Sequence, residues 1–246
     1  MTVRDQNQPY SRDNRPEERW ANFSLSLTFG KQTITNRHYR WIGFLPLYHA
    51  FGQIFTNLMA PKLGVKLYVM KKFEFAAFLG AIERYKITHL QVAPPIMVML
   101  SRRPEAKDFD LSSLVNILCG AAPLKRELQN EVSQRFDVSV IQGWGMTETT
   151  LAGIQVPSGL RDDTGSAGLL DPETEAKLVD DNGNIVPRGR PGELVVRGPQ
   201  ICMGYWRNEK ATKETLSEDG WLKTGDVAVA DHRNWLYIVD RKKASL

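Results

Sequence analysis

Val138-Ser139-Val140-Ile141-Gln142-Gly143-Trp144-Gly145-Met146-Thr147-Glu148 is an apolar run that opens directly into a glycine-flanked aromatic, a hydroxyl and a carboxylate. The run reads as a strand, and the residues after it as the loop at that strand's carboxyl end. An aromatic face can cover a purine, and glycines let backbone approach a ligand closely. A hydroxyl beside a carboxylate suits phosphate oxygens and their magnesium ion. The same residues also fit a tight turn packed by a tryptophan, so their companions along the chain decide between the two.

Working outward, strand and helix patterns alternate from Trp41 to about Val156. Lys66-Leu67-Tyr68-Val69-Met70 reads as a buried strand, after which Phe75, Phe78, Leu79 and Ile82 recur at helical spacing. Thr88 to Ala93 is the next strand, stopped by Pro94-Pro95, and Ile96 to Arg103 a short helix. Leu114 to Leu118 is a third strand, Leu124, Leu128, Val132 and Phe136 mark a helix, and Val138 to Ile141 is the fourth strand. Such alternation predicts an α/β fold, a mainly parallel sheet with flanking helices. After Pro157 come short strands punctuated by Gly, Pro and Asn: Glu175 to Val179, Glu193 to Arg197, and a hairpin of Val227 to Ala230 and Trp235 to Val239. These predict a small antiparallel β-barrel-like subdomain. The expected organisation is an irregular segment over 1–40, an α/β nucleotide- and acyl-binding subdomain over 41–157, a β-rich subdomain over 158–240 and a hinge remnant over 241–246.

The chain has 246 residues, 42% hydrophobic and 24% charged, an ordinary globular balance. Its net charge of +4 is concentrated in residues 1–40, where seven Lys/Arg face four acids. The remaining 206 residues carry only +1, which argues against a nucleic-acid partner. Cys119 and Cys202 form no CxxC pair, so a reducing, cytoplasmic setting is expected. The first twenty residues are too polar for a signal peptide, and no apolar stretch is long enough to span a membrane. Ala244-Ser245-Leu246 only loosely resembles a peroxisomal address, which leaves that compartment open for a full-length relative. There is no GxxxxGK[ST] loop, no GxSxG elbow, no GxGxxG turn, and no zinc spacing among His38, His49, His89 and His232.

In open parallel sheets, ligands collect beyond the carboxyl ends of the strands. Cys119-Gly120-Ala121-Ala122-Pro123 follows the third strand, and a flat ring can lie against its small residues. If the third and fourth strands are neighbours, Ala121-Ala122 and Trp144 form two walls of an adenine slot, with Thr147 and Glu148 toward the phosphates. Gly225-Asp226 places an acid on a glycine turn, where it can accept ribose hydroxyls, and Arg241 can meet a ribose or phosphate oxygen. Each of these also has a plain structural reading as a tight turn, a surface acid or a solvated base. His49, between Tyr48 and Phe51, is either a gate to an apolar pocket or a structural histidine.

Taken in order, Pro46 to Gly52, Ala93-Pro94-Pro95, Gly120 to Leu124, Gly143 to Glu148, Gly192 to Trp206, Asp219 to Asp226 and Tyr237 to Lys243 resemble the adenylate-forming acyl-CoA synthetase superfamily, closest to 4-coumarate–CoA ligase-like acyl-CoA ligases. The resemblance implies that Gly120, Ala121 and Ala122 lie along an adenine, with Gln142, Gly143 and Trp144 on its other side. It implies that Thr147 meets the α-phosphate, Glu148 holds magnesium, Asp226 binds the ribose hydroxyls and Arg241 helps fix ribose and phosphate. His49, Phe51, Gly120, Gly145 and Met146 would border the acyl pocket, Lys243 would sit at a hinge, and Thr147, Glu148 and His49 would form the catalytic set. ATP, Mg2+, coenzyme A and a small carboxylic acid are the implied partners, joined through an acyl-adenylate. The family's Ser/Thr/Gly-rich phosphate loop and its C-terminal domain have no counterpart in the sequence. The resemblance therefore implies a truncated member, either an acyl-CoA ligase fragment or a catalytically inactive nucleotide/acyl-binding product.

Overall fold

The short β1 (Tyr10–Ser11) apart, the strands up to Trp144 assemble edge to edge. The computed structural model describes residues 10–11, 39–157 and 159–242. In it β2 (Arg40–Gly43), β3 (Lys66–Val69), β4 (His89–Val92), β5 (Asn116–Cys119) and β6 (Ser139–Trp144) run parallel in the order β3-β2-β4-β5-β6. β7 (Ile154–Gln155) and β8 (Leu169–Leu170) continue the sheet antiparallel beyond β6, so its last two strands lie on either side of residue 158.

Helices cover both faces. One begins with Ala50–Gly52, runs through a π-helical Gln53–Met59 and ends with Ala60–Leu63; together these are α1. α2 (Phe75–Tyr85), α3 (Pro94–Arg102) and α4 (Arg126–Phe136) follow. α2 shows why the local sequence suffices. The Glu74 carboxylate accepts the N–H groups of Ala76 and Ala77 at 3.1 and 2.7 Å, and Lys86 stops the helix in the left-handed region at φ 50°. Between them Phe75, Phe78, Leu79 and Ile82 are all buried against the sheet, as their spacing predicts. α2, α3 and α4 share a core with Leu90, Val92, Ile117 and Val140, whereas α1 packs Phe51, Phe55 and Met59 on Trp41, Leu118 and Ile141 of the other face.

The second sheet is antiparallel in the order β1-β9-β10-β11-β12, with β9 (Glu175–Val179), β10 (Gly192–Arg197), α5 (Glu209–Thr215), β11 (Leu222–Ala230) and β12 (Leu236–Arg241) following in chain order. The two sheets join where Ala167 N–H donates to the Leu236 carbonyl at 2.8 Å and Leu236 N–H to that of Gly168 at 2.9 Å. The architecture is the expected one: a mostly parallel sheet with helices, then an antiparallel β unit.

Several local expectations change. Among the described residues β3 is an edge strand, not a buried one: it pairs only with β2, and Val69 is 67% exposed. The third strand is Asn116–Cys119, because Leu114 is buried from the turn before it. Leu124 likewise packs in the core ahead of α4. The reading of residues 1–40 lies almost wholly outside the described residues, and Tyr10–Ser11 within it pair with Glu175–Ala176. Among the described residues, no helix is long and apolar enough to cross a membrane.

One buried histidine makes stability pH-dependent. Burial depresses His89 to about 4, and its Nδ1 lies 2.8 Å from Thr88 Oγ1. The unfolded chain takes up this proton near the ordinary value of 6.5, the folded chain only near 4. The stability from burying a neutral ring is therefore complete above pH 6.5 and is lost as pH falls towards 4, by about 1 kcal/mol per pH unit. Urea unfolding at pH 7 and pH 5 measures the slope, which His89→Asn should flatten.

Candidate functional site

Alternation along β5 and β6 decides which side chains face which layer. Ile117, Cys119 and Val140 enter the core under α2, α3 and α4, whereas Leu118 and Ile141 face α1. Gln142 follows the first set. Its Nε2 donates to Gln129 Oε1 at 2.7 Å and to the Leu124 carbonyl at 3.1 Å, and its Oε1 accepts the Leu124 N–H at 3.2 Å. Gln142 thus pins the loop after β5 from behind. Gly143 follows the second set and lines a cavity of about 290 Å³ at the carboxyl ends of the two strands.

That cavity gathers segments far apart in sequence. His49, Phe51 and Phe55 line it from the start of α1, Leu118, Gly120 and Ala121 from the end of β5, and Gly143 to Glu148 from β6 and its turn. Leu151, Ala152, Ile154 and Gln155 close the far side, and Arg241 reaches it from β12. Of the residues singled out from sequence, Ala122, Gln142 and Asp226 are not in the lining, and Lys243 lies outside the described residues.

Asp226 is nonetheless tied to the cavity wall. The indole N–H of Trp144 donates to its Oδ2 at 2.8 Å, and Arg241 Nε stands 3.7 Å from Oδ1, opposite it in the β11–β12 register. The two contacts differ in weight. The Arg241 side chain is 73% exposed, so its ion pair is screened and contributes little. The indole bond is buried, where an unpaired carboxylate oxygen is costly.

The turn after β6 is tight and strained. A Cβ at Gly145 would lie 1.5 Å from the Leu151 carbonyl oxygen, so no larger residue fits. Thr150 and Leu151 have φ of 51° and 100°, and Ala121 opposite has φ 69°. Such residues cost on the order of 1–3 kcal/mol each and cluster at functional sites. The Thr149 hydroxyl holds the turn, accepting the Met146 N–H at 3.0 Å and bonding its carbonyl at 3.1 Å, while Thr147 stays exposed and Glu148 half-buried. Tyr205 O–H donates to Glu148 Oε1 at 2.6 Å, and this bond to the carboxylate raises the phenol to about 12.

His49 has a structural task as well as a place in the lining. Its Nδ1 accepts the Phe51 N–H at 3.2 Å and caps α1, which leaves Nε2 as the donor of the neutral ring. Cys119 is buried, and burial pushes its thiol up to about 12. No cluster of three or more His, Cys, Asp or Glu exists among the described residues to hold a metal alone. Glu148 beside the Thr147 hydroxyl fits a cation that brings its other ligands with a nucleotide, as magnesium does. Phe55, Leu151, Gln155 and Tyr205 were not anticipated. Phe51 and Phe55 show i, i+4 spacing that signals a helix face, whereas nothing local marks the other three.

The AMP-binding enzyme family profile matches residues 20–206. A probable 4-coumarate–CoA ligase 1 of Dictyostelium discoideum is 38% identical over 226 residues, 89% of this chain and 41% of that protein. The 4-coumarate–CoA ligase-like 9 of Arabidopsis thaliana is 42% identical over 203 residues, covering 81% and 36% respectively. Among solved structures, the O-succinylbenzoate coenzyme A synthetase of Bacillus subtilis with ATP and a magnesium ion superposes with a TM-score of 0.70 at 28% identity, over 84% of this chain and 42% of that one. An anthranilate CoA ligase holding anthranoyl-AMP gives 0.76 at 26% identity, over 82% and 39%. The chain thus spans about two-fifths of the length of the curated relatives it matches.

Two substitutions test the site's construction. Trp144→Phe removes the buried donor to Asp226 and should cost about 1–3 kcal/mol in urea unfolding. Gly145→Ala should cost at least as much, and crystallography or proteolysis of the 145–151 turn should show it displaced.

Proposed function

The chain belongs to the AMP-binding enzyme family, and from that premise we propose that it activates a carboxylic acid with ATP to an acyl-adenylate and passes the acyl group to the thiol of coenzyme A. The observation that carries this reading is the bond between Trp144 and Asp226, which ties an acid 82 positions away to the wall of the cavity that Trp144, Thr147, Glu148 and Arg241 line. In this reading Ala121 and Trp144 bound the adenine, with the backbone of Gly120, Ala122, Gln142 and Gly143 around it. Asp226 accepts the ribose hydroxyls and Arg241 steadies ribose and phosphate. Thr147 meets the α-phosphate, and Glu148 holds magnesium. Magnesium, when bound, offsets the charge that builds on the α-phosphate during attack. Phe51, Phe55, Leu118 and Ile154 offer an apolar wall to the acyl group, with Gly145 and Met146 at its edge and His49 at its mouth. The chain spans about two-fifths of the length of these relatives. The division near residue 158, the Lys243 hinge and a cytoplasmic setting belong to the same proposal.

Calorimetric titration of the intact chain with AMP, and pyrophosphate release with ATP, Mg2+ and a panel of aromatic and aliphatic acids, test it. Asp226→Asn should weaken AMP binding about tenfold or more. Glu148→Ala should lower pyrophosphate release by about 100-fold. A folded chain that binds no AMP sinks the proposal. AMP binding without pyrophosphate release by any acid favours the alternative, an inactive nucleotide- and acyl-binding protein.

A further inference from the structure

Glu148 is met by a second chain segment from the antiparallel unit, and that contact is built in layers. Tyr205 O–H donates to Glu148 Oε1 at 2.6 Å, Cys202 N–H donates to the Glu148 carbonyl at 2.8 Å, and the Thr150 hydroxyl donates to the Gln200 carbonyl at 2.7 Å. Tyr205 is in turn held from behind. Its N–H donates to Thr212 Oγ1 at 2.9 Å, and that hydroxyl bonds the Asn208 carbonyl, also at 2.9 Å, where Asn208 caps α5. Gly204, at φ 139°, passes so near Thr212 that a Cβ would lie 2.6 Å from its Cγ2, so the approach requires glycine.

We propose that Tyr205 is a positioning residue for the carboxylate of Glu148, holding Oε1 so that Oε2 is the oxygen presented to a divalent cation arriving with a nucleotide. An untethered glutamate loses rotamer freedom when it takes up a cation. Here the phenol has already ordered the side chain, and the partners that orient a metal ligand weigh heavily on affinity. The segment that supplies the phenol belongs to the antiparallel unit and the carboxylate to the turn after β6, so the cation site depends on how these two parts meet. The inference rests on the reading that Glu148 holds the cation.

The test compares ATP binding to the intact chain with Mg2+ and with EDTA, the ratio being the gain that the metal supplies. Tyr205→Phe should cut that gain about tenfold or more and leave metal-free ATP binding unchanged. A merely structural role would weaken both alike. In a Glu148→Gln background the same substitution should have no further effect. Thr212→Val, which removes the brace behind Tyr205, should reduce the gain in the same direction and serves as the readout should Tyr205→Phe not fold. If Glu148→Gln leaves the gain intact, or the folded chain binds no ATP, the reading of Glu148 fails and the inference with it. If Glu148→Gln abolishes the gain while Tyr205→Phe, or Thr212→Val in its place, keeps it, the role of Tyr205 alone is overturned.

Discussion

The bond from the Trp144 indole to Asp226 couples the two halves of the molecule. Trp144 ends β6 of the parallel sheet, and Asp226 lies in β11 of the antiparallel one. A carboxylate with a side chain only 12% exposed cannot remain without a donor, and the exposed Arg241 is too well solvated to serve as its main partner. The indole therefore sets the distance between the sheets at the cavity, while the Ala167-Gly168 pairing with Leu236 sets their register further along. Trp144 also packs with Ile154, Leu178 and Leu194 in the core beneath the second sheet, so its ring is held by apolar contacts and by a polar one together.

Around this joint the backbone takes several left-handed or crowded conformations. Ala121, Thr150 and Leu151 adopt left-handed or related conformations, and Gly145 lies against the Leu151 carbonyl with no room for a methyl group. Loops can carry such strain because β4, β5 and β6 are buried on both faces and do not yield. The π-helical stretch of α1 belongs to the same pattern: it begins at Gln53, after the turn that His49 caps, and carries Phe55 to the cavity wall.

α2, α3, α4 and the strands β4 to β6 were legible from local pattern, whereas β2, α1 and α5 were not anticipated. Phe75, Phe78, Leu79 and Ile82 are buried as their spacing requires, and β4 to β6 appear where apolar runs stand between turn signals. Period also held information that local reading passed over. Gln142 and Gly143 are neighbours in sequence, so in a strand they face opposite layers, and only Gly143 reaches the cavity. β3 misled because an apolar run does not reveal whether it lies at the centre or the edge of a sheet; that depends on pairing order.

The amino-acid sequence by itself determined the α/β class, the change to short antiparallel strands and the two loops of small residues beyond strand ends, because each of these follows from local periodicity and backbone freedom; that the two strands are neighbours came from the fold. Only the tertiary structure decided that the Trp144 indole binds Asp226 and that Tyr205 reaches the Glu148 carboxylate. Those contacts join residues as many as 82 positions apart, and their formation depends on how whole sheets pack, for which no local pattern exists.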